Sequence, residues 1–196
     1  MSSDLKKRLS GERIVLIKNR PTFENARVIF KTIEENREHL EPWIPRIKKT
    51  KKPEDCLKNL LDKERKSQKK KKADYGIYLN KEYIGNISLF NIDKKNRTAE
   101  LGYWLSASFV RNGYMTEAVA ILEKEAFEKL QLNRIEIRCD QENLSSSKVA
   151  KKCGYCYEGK LRQNSFNEDS GKFKDIIIFS KLRSEYIDPD TKPDPS

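Results

Sequence analysis

The feature that most limits the fold of this chain is a change of hydrophobic period near Asp74. Before it, Pro21 and Pro53 each begin a run in which apolar residues recur at helical spacing. After it, DYGIYLN and EYIGNISLFNI are typical of two strands, joined at Asn80 and Lys81 by a tight hairpin turn. A chain with both periods is expected to pack helices against a sheet.

The remaining segments extend this pattern without an internal repeat. RIVLIK predicts a first strand, TAELGYWLS a third strand after the hairpin, and RIEIRCD a strand that follows a buried helix. A short helix follows, with Asn143 as its N-cap and Gly154 as its stop, and then two final strands. We predict one mixed α/β (α+β) domain over residues 13–182, an N-terminal extension 1–12 and a disordered tail 183–196.

Charge and composition restrict the partners. The formal net charge is +11, with lysine clusters at 48–52 and 69–72. Such a charge favours anionic partners, but the clusters lack interleaved aromatic or arginine residues, so nucleic acid is disfavoured and a solvated lysine-rich surface fits them better. No run approaches the ~20 apolar residues of a membrane span, and the start resembles no secretory signal, so we expect a cytoplasmic protein.

The cysteines do not form a metal-binding pattern. Cys153 and Cys156 form a lone C-x-x-C at the end of a helical pattern, and His39 is the only histidine. Zinc would require a second close pair, and a redox motif would be expected at the start of a helix. We therefore expect reduced structural thiols and no metal.

The segment SFVRNGYMTEA lies between a strand and a helix. Gly113 permits positive φ or a close approach to a ligand, and Arg111 supplies a charge. Backbone N–H groups at a helix N-terminus can bind a phosphate, although a turn of this composition is more often only a turn.

Taken together, HLEPWIP, IGNISLFNIDKKNRTAELGYWLS, GYMTEAV and NLSSSKVAKKCGY occur in an order that resembles the GCN5-related N-acetyltransferases. The similarity is to the RimJ/RimL-type branch, which acetylates protein N-termini, and it extends from Arg13 to about Leu182. It implies a mostly antiparallel sheet flanked by helices, with one splayed pair of parallel strands. Acetyl-CoA, with no metal, is then expected in the cleft between the strands ending at Ser106 and Asp140.

The resemblance also assigns the pyrophosphate loop. The family pattern Q/R-x-x-G-x-G/A falls on Val110, Arg111, Asn112, Gly113, Tyr114 and Met115. The chain departs from that pattern at Val110 and Met115. Since backbone N–H groups are expected to make the main contacts, the loop should still function, with Arg111 replacing the missing side chain and Thr116 adding a hydroxyl.

By the same resemblance, Glu100 is the candidate general base, acting directly or through a water; a surface glutamate or a salt-bridge partner is the alternative. Backbone N–H groups of Trp104, Leu105 and Ser106 are expected to contact the pantetheine arm and polarise the thioester carbonyl. Asn143 would hydrogen-bond the pantetheine amides, cap its helix, or do both.

Ser146 is the residue expected to protonate the leaving thiolate, with Ser145 and Ser147 as the nearest alternatives. Lys148, Lys151 and Lys152 would hold the 3′-phosphate of the cofactor, or are simply solvated.

The acceptor is the least determined part of the prediction. The first hypothesis is the N-terminal α-amine of a protein, such as a ribosomal protein. The alternatives are a small amine, such as a polyamine or an aminoglycoside, and a non-catalytic module that binds acyl-CoA or RNA. The segments HLEPWIPRI and NSFNEDSGK are expected to select the acceptor, and either is a candidate dimer contact.

Overall fold

A computed structural model describes residues 5–69, 72–168 and 170–187. Its centre is a single eight-stranded sheet with the order β1-β2-β3-β4-β5-β6-β8-β7. Every neighbouring pair is antiparallel except β5 and β6, which are parallel. The strands are β1 (Arg8–Ser10), β2 (Val15–Lys18), β3 (Ala73–Leu79), β4 (Glu82–Asp93), β5 (Thr98–Leu105), β6 (Arg134–Asp140), β7 (Cys156–Asn167) and β8 (Lys172–Leu182).

Helices cover both faces of this sheet. They are α1 (Phe23–Glu35), α2 (Arg37–Leu40), α3 (Pro53–Gln68), α4 (Tyr114–Lys124) and α5 (Leu144–Lys152), with 3₁₀ turns at Pro45–Lys49, Ala107–Phe109 and Arg183–Glu185 and a π turn at Glu125–Lys129. Helices α1 and α3 share one apolar cluster with Tyr83 and Trp104. Helices α4 and α5 belong to the larger cluster on the other face. The predicted fold class, a mixed α/β domain with one parallel strand pair, is confirmed.

Local sequence explains the ends of several elements. Asn80 and Lys81 both have positive φ, 49° and 72°, which is the backbone of a tight hairpin turn. Helix α1 begins at Phe23 rather than at Pro21, because the Thr22 hydroxyl accepts a hydrogen bond from the Asn25 N–H and makes Thr22 the N-cap.

Both ends of the chain contribute more structure than their composition suggests. In the N-terminal extension, β1 pairs with β2 and buries Leu9. In the tail, the Tyr186 ring lies 5.0 Å from the Phe127 ring, and its hydroxyl donates to Glu128. Residues 188–196 lie outside the described part of the chain. These short segments are ordered by tertiary contacts, which composition alone does not reveal.

The second lysine cluster is not simply a solvated surface. Lys70 and Lys71 lie outside the described residues. The ammonium of Lys72 lies 5.4 Å from the centroid of the Phe90 ring, and burial lowers the pKa of Lys72 to about 8. None of the helices in the described part of the chain combines the length and the apolar composition needed to cross a membrane.

The C-x-x-C pair is divided between two elements. Cys153 ends α5, Gly154 follows with φ +77°, and Cys156 begins β7. Burial raises the pKa of Cys153 to about 12, so this thiol stays protonated at neutral pH. In residues 5–69, 72–168 and 170–187, no group of three or more histidine, cysteine, aspartate or glutamate side chains is placed to hold a metal.

Candidate active site

The sheet opens between its two parallel strands. Strands β5 and β6 pair only at Thr98–Arg134, Ala99–Ile135 and Glu100–Glu136, although both strands continue beyond these pairs. On its other side, β5 stays paired with β4 up to Leu105. The carboxyl halves of β5 and β6 therefore diverge, and they form a V-shaped cleft with Glu100 at its vertex.

The two faces of β5 have different surroundings. Ala99, Leu101 and Leu105 lie in the apolar cluster that contains α4 and α5, and Tyr103 packs against it. Since side chains alternate along a strand, Glu100 and Trp104 project to the opposite face, where Trp104 packs with α1 and α3. The face that carries Glu100 is called the acceptor face below.

On the acceptor face, Glu100 is held by two neighbours. Its Oε1 accepts a hydrogen bond of 2.7 Å from Asn91, and its Oε2 lies 3.8 Å from the Arg138 guanidinium. The Glu100 side chain is 21% exposed. The next residue on this face, Gly102, has no side chain; an added Cβ would lie 2.9 Å from the Phe90 ring. The carboxylate is thus oriented and partly exposed to solvent.

The three predicted backbone donors of β5 are not equivalent. The Ser106 N–H donates to the Ile84 carbonyl across β4. Because successive N–H groups of a strand point to opposite sides, the Trp104 N–H also faces β4, and the Leu105 N–H faces the cleft. Among Trp104, Leu105 and Ser106, therefore, Leu105 has the amide that a group in the cleft can reach.

The loop before α4 is a turn that leads directly into the N-terminus of the helix. Arg111 has φ +66° and Gly113 has φ +81°, and the helix begins at Tyr114 without a side-chain cap at Gly113. Asn112 folds back onto the loop, because its side-chain amide donates to the Val110 carbonyl. The first N–H groups of α4, which include those of Met115 and Thr116, are the helix amides that lack an intrahelical acceptor.

Arg13, which the sequence analysis did not identify, fixes this loop from outside. Its guanidinium donates to the Asn112 carbonyl at 2.9 Å and to Glu117 Oε2 at 2.9 Å, and it lies 4.9 Å from the Tyr114 ring centroid. Glu117 Oε1 also accepts from the backbone N–H groups of Arg13 and Ile14. No local sequence signal relates two residues that lie 104 positions apart.

Gly113→Ala is expected to lower the free energy of unfolding by about 1–2 kcal/mol, since alanine must adopt a left-handed conformation. Its Cβ would also lie 3.3 Å from Arg13 Nη2. Gly171→Ala is the matched control, because Gly171 has φ +62° with no atom within 4 Å of an added Cβ. Urea denaturation should give a larger loss for Gly113→Ala; an equal or larger loss for Gly171→Ala would show that the Arg13 contact is without effect.

Across the cleft, α5 begins opposite β5. The Asn143 side chain accepts from the Ser146 N–H at 3.0 Å, which confirms Asn143 as the N-cap. The Ser146 hydroxyl donates to the Tyr103 hydroxyl at 3.3 Å, and the Tyr103 hydroxyl donates to the Ser146 carbonyl at 3.1 Å. Burial raises the pKa of Tyr103, while the hydrogen bond with Ser146 opposes this rise, so Tyr103 remains a protonated donor.

The three serines of α5 have different surroundings. Ser145 is exposed. Ser147 is buried and donates to the Asn143 carbonyl. Ser146 is half-buried and contacts β5 through Tyr103. Of the three, Ser146 is the one that the structure brings to the cleft. Lys148 lies on the exposed side of α5, as do Lys151 and Lys152 at its end.

The two segments expected to select the acceptor are only partly loops, because HLEPWIPRI includes the end of α2 and NSFNEDSGK includes the end of β7. HLEPWIPRI lies near the β7–β8 hairpin. The Lys174 ammonium lies 5.6 Å from the centroid of the Trp43 ring and 2.7 Å from Asp140 Oδ2. Asp140 ends β6, so this contact links the loop after α2 to the β7–β8 hairpin beside the cleft. Asp169, in that hairpin, lies outside the described residues.

This combination of fold and site defines a domain of the acetyltransferase class. The chain belongs to the acetyltransferase (GNAT) domain family, whose family model matches residues 13–155. The family membership predicted from the sequence motifs is confirmed.

The ribosomal-protein-serine acetyltransferase of Escherichia coli (strain K12) is similar to the chain, with 33% identity over 106 residues. The match covers 54% of this chain and 58% of that protein, so the chain spans less than two thirds of this curated relative.

Two solved structures are similar over most of the chain. The microcin C7 self immunity acetyltransferase MccE, in complex with acetyl-CoA and AMP, has 26% identity and a TM-score of 0.81, with 87% of this chain and 93% of that chain covered. The ribosomal L7/L12 alpha-N-protein acetyltransferase RimL has a TM-score of 0.84 at 19% identity, with 91% of this chain and 99% of that chain covered. The likeness to RimL establishes the fold.

Proposed function

We propose that this protein transfers the acetyl group of acetyl-CoA to a primary amine, and specifically to the N-terminal α-amine of a protein. The observation that carries the proposal is the cleft between β5 and β6, which has a carboxylate at its vertex and a helix N-terminus at its mouth. A thioester lying in such a cleft would meet an acceptor amine beside Glu100.

The residues of the cleft fit acetyl-CoA. The uncapped amides of α4 and the positive-φ turn at Arg111 and Gly113 suit a pyrophosphate, since a helix N-terminus favours an anion. The Leu105 N–H faces the cleft, where the pantetheine arm would lie, and Lys148 is exposed and would be accessible to a terminal phosphate. When bound, acetyl-CoA supplies the activated acetyl group. The solved MccE structure, at 26% identity, contains acetyl-CoA, which supports the same cofactor here.

Glu100 would accept the proton of the attacking amine, directly or through a water. An α-amine has a pKa of ~8 and is partly neutral at physiological pH, so a modest base is sufficient. The hydrogen bond from Asn91 and the nearby Arg138 orient the carboxylate. Ser146 would donate its hydroxyl proton to the departing thiolate, in place of the hydrogen bond that this hydroxyl donates to Tyr103.

The acceptor follows from two supports. The relative with 33% identity is named a ribosomal-protein-serine acetyltransferase. At neutral pH an α-amine is neutral more often than a lysine ε-amine by a factor on the order of 10², which favours N-terminal acetylation.

The test is thiol release from acetyl-CoA with N-terminal peptides, spermidine and an aminoglycoside as acceptors. We expect turnover with peptides that have a free α-amine, and mass spectrometry should place the acetyl group at that amine. The matched control is the same peptide with a blocked N-terminus and a free lysine, which should react on the order of 10² times more slowly. Turnover with the small amines alone would refute the protein acceptor. The absence of thiol release with every acceptor, despite binding of acetyl-CoA, would refute the proposed enzymatic activity.

A further inference from the structure

A cavity of about 340 Å³ lies between α1, α3, the Pro45–Lys49 turn and the sheet. One wall is apolar and includes Ile29, Ile33, Leu60 and the ring of Trp104. Ligand pockets in proteins commonly have volumes from about 300 Å³ upward and combine an apolar wall with a few polar groups. The size and the wall of this cavity fit a small ligand or a short part of a peptide.

The rest of the lining is strongly cationic. Arg46, Lys49, Lys58 and Lys63 line the cavity, against one carboxylate, that of Asp55. That carboxylate is already engaged, since Asp55 Oδ2 accepts from the backbone N–H groups of Lys51 and Lys52. Within the described residues, no salt bridge holds Arg46, Lys49 or Lys58. The cavity therefore presents positive charge.

Arg46 lines the cavity although the residue itself is exposed. Burial raises the pKa of Cys56 to about 11 and that of Tyr83 well above its ordinary value, and at both groups the Arg46 guanidinium acts in the opposite direction. Cys56 and Tyr83 line the interior of the same cavity. Because Arg46 lines the same cavity as Cys56 and Tyr83, its guanidinium is accessible to a ligand that binds there.

Two polar groups of the lining have incomplete hydrogen bonding. The Tyr83 hydroxyl is buried, and within the described residues it has no hydrogen-bond partner. The Lys63 ammonium, which has three donors, contacts Asp74 Oδ1 at 2.8 Å. Buried donors without acceptors are costly, so an acceptor at this position would stabilise the site.

The cavity lies on the same face of β5 as Glu100, where the acceptor amine would react. Trp104 lines it and projects from the same face of β5 as Glu100, four residues earlier. At ~3.3 Å per strand residue the separation is about 13 Å along the strand. An extended peptide of about four residues spans that distance.

We propose that this cavity binds a carboxylate side chain of the acceptor peptide, within about five residues of the α-amine that is acetylated. This inference rests on the proposed function and specifies its substrate class, an N-terminus with an acidic residue close behind it. The methylene groups of the acidic side chain pack against the apolar wall, and its carboxylate forms a charged contact with Arg46.

The test compares peptides that differ only by Glu or Gln at the fourth position. We expect kcat/KM to favour the Glu peptide about ten- to a hundredfold, as a charge-assisted hydrogen bond predicts. Arg46→Gln should reduce this preference to less than about threefold, on the same basis. Arg27→Gln is the matched control, because Arg27 is an exposed residue of α1 outside the cavity and the change in net charge is the same. The Arg27→Gln variant should keep the preference for the Glu peptide.

Calorimetric binding of the two peptides separates this inference from the proposed function. Tighter binding of the Glu peptide that depends on Arg46 supports the cavity even if no turnover occurs. Equal binding and equal turnover of the two peptides would overturn it while leaving the acetyltransferase intact. The inference would also be overturned if Arg27→Gln removed the preference for the Glu peptide to the same extent as Arg46→Gln. Inorganic phosphate, as a small anion, should compete with the Glu peptide; strong phosphate binding without any Glu preference would refute a peptide carboxylate as the occupant.

Discussion

Glu100→Gln is expected to lower kcat/KM for acetyl transfer about 10²–10⁴-fold, the usual contribution of a positioned general base. Glutamine keeps the shape of the side chain and a group that accepts from Asn91, but it cannot take a proton. Because Glu100 lies at the vertex where β5 and β6 separate, this loss should affect the chemical step rather than the fold. Steady-state kinetics and a denaturation curve on the same preparation measure the two effects separately.

The pH profile distinguishes a base from a structural carboxylate. Above the α-amine pKa of ~8, the acceptor is already neutral and needs no base to become nucleophilic. The ratio of wild-type to Glu100→Gln rates should therefore shrink as the pH rises through that value. A ratio that stays constant up to pH ~10 would indicate that Glu100 acts only by positioning other groups.

Glu136→Gln is the matched control for this experiment. Glu136 faces Glu100 across the last pair of β5 and β6, and it accepts hydrogen bonds from Arg134 and Arg138. Both of its oxygens are occupied by guanidinium groups, so we expect its replacement to change kcat/KM less than about fivefold, as is usual for a carboxylate that does not transfer a proton. A large loss in Glu136→Gln together with a small loss in Glu100→Gln would show that the base is Glu136 on β6 and not Glu100 on β5.

The sequence predicted the parts of the site that local patterns encode. The turn at Asn80 and Lys81 and the cap at Asn143 depend on neighbours within a few residues, and their side-chain chemistry favours those backbones directly. The divergence of β5 and β6 followed from the family resemblance, since spacing alone does not show where two parallel strands stop pairing.

The contacts that the sequence could not predict join distant positions. Arg13 reaches Glu117, and Tyr103 reaches Ser146 across the cleft. In each case a polar residue with an ordinary local pattern gains its role from a partner more than 40 positions away. Lys63 is a further example, because a lysine within LLDKERKS is expected on a solvated helix face and is instead buried.

The buried lysine leads to the largest expected change in stability. Asp74→Asn is expected to lower the free energy of unfolding by about 3–5 kcal/mol, because it leaves the Lys63 ammonium buried without a counter-charge. Asp74 is 5% exposed and Lys63 8% exposed. Asp74 also accepts hydrogen bonds from Asn19 at 2.7 Å and from Asn86 at 3.2 Å, so the substitution disturbs three contacts at once.

The pKa of Asp74 gives the sign of the pH dependence. Burial raises this pKa, but Lys63 and Asn19 lower it by more, so it lies below its ordinary value. The stabilisation is then fully present above the unfolded pKa of ~3.9 and is lost as the pH falls through the folded pKa. Urea denaturation between pH ~2 and ~7 should show this loss below pH ~4 in the wild type and a smaller loss in Asp74→Asn.

Two further variants test whether the loss of stability in Asp74→Asn is caused by the buried charge of Lys63. Asp62→Asn is the matched control, since Asp62 pairs with Lys66 on the exposed side of the same helix α3, and it should change stability by less than about 1 kcal/mol. Adding Lys63→Met to Asp74→Asn should restore part of the lost stability, because the uncompensated charge is removed. If the double variant is less stable than Asp74→Asn alone, the cost arises from packing around Lys63 rather than from its charge, and the ion pair does not have the role assigned to it here.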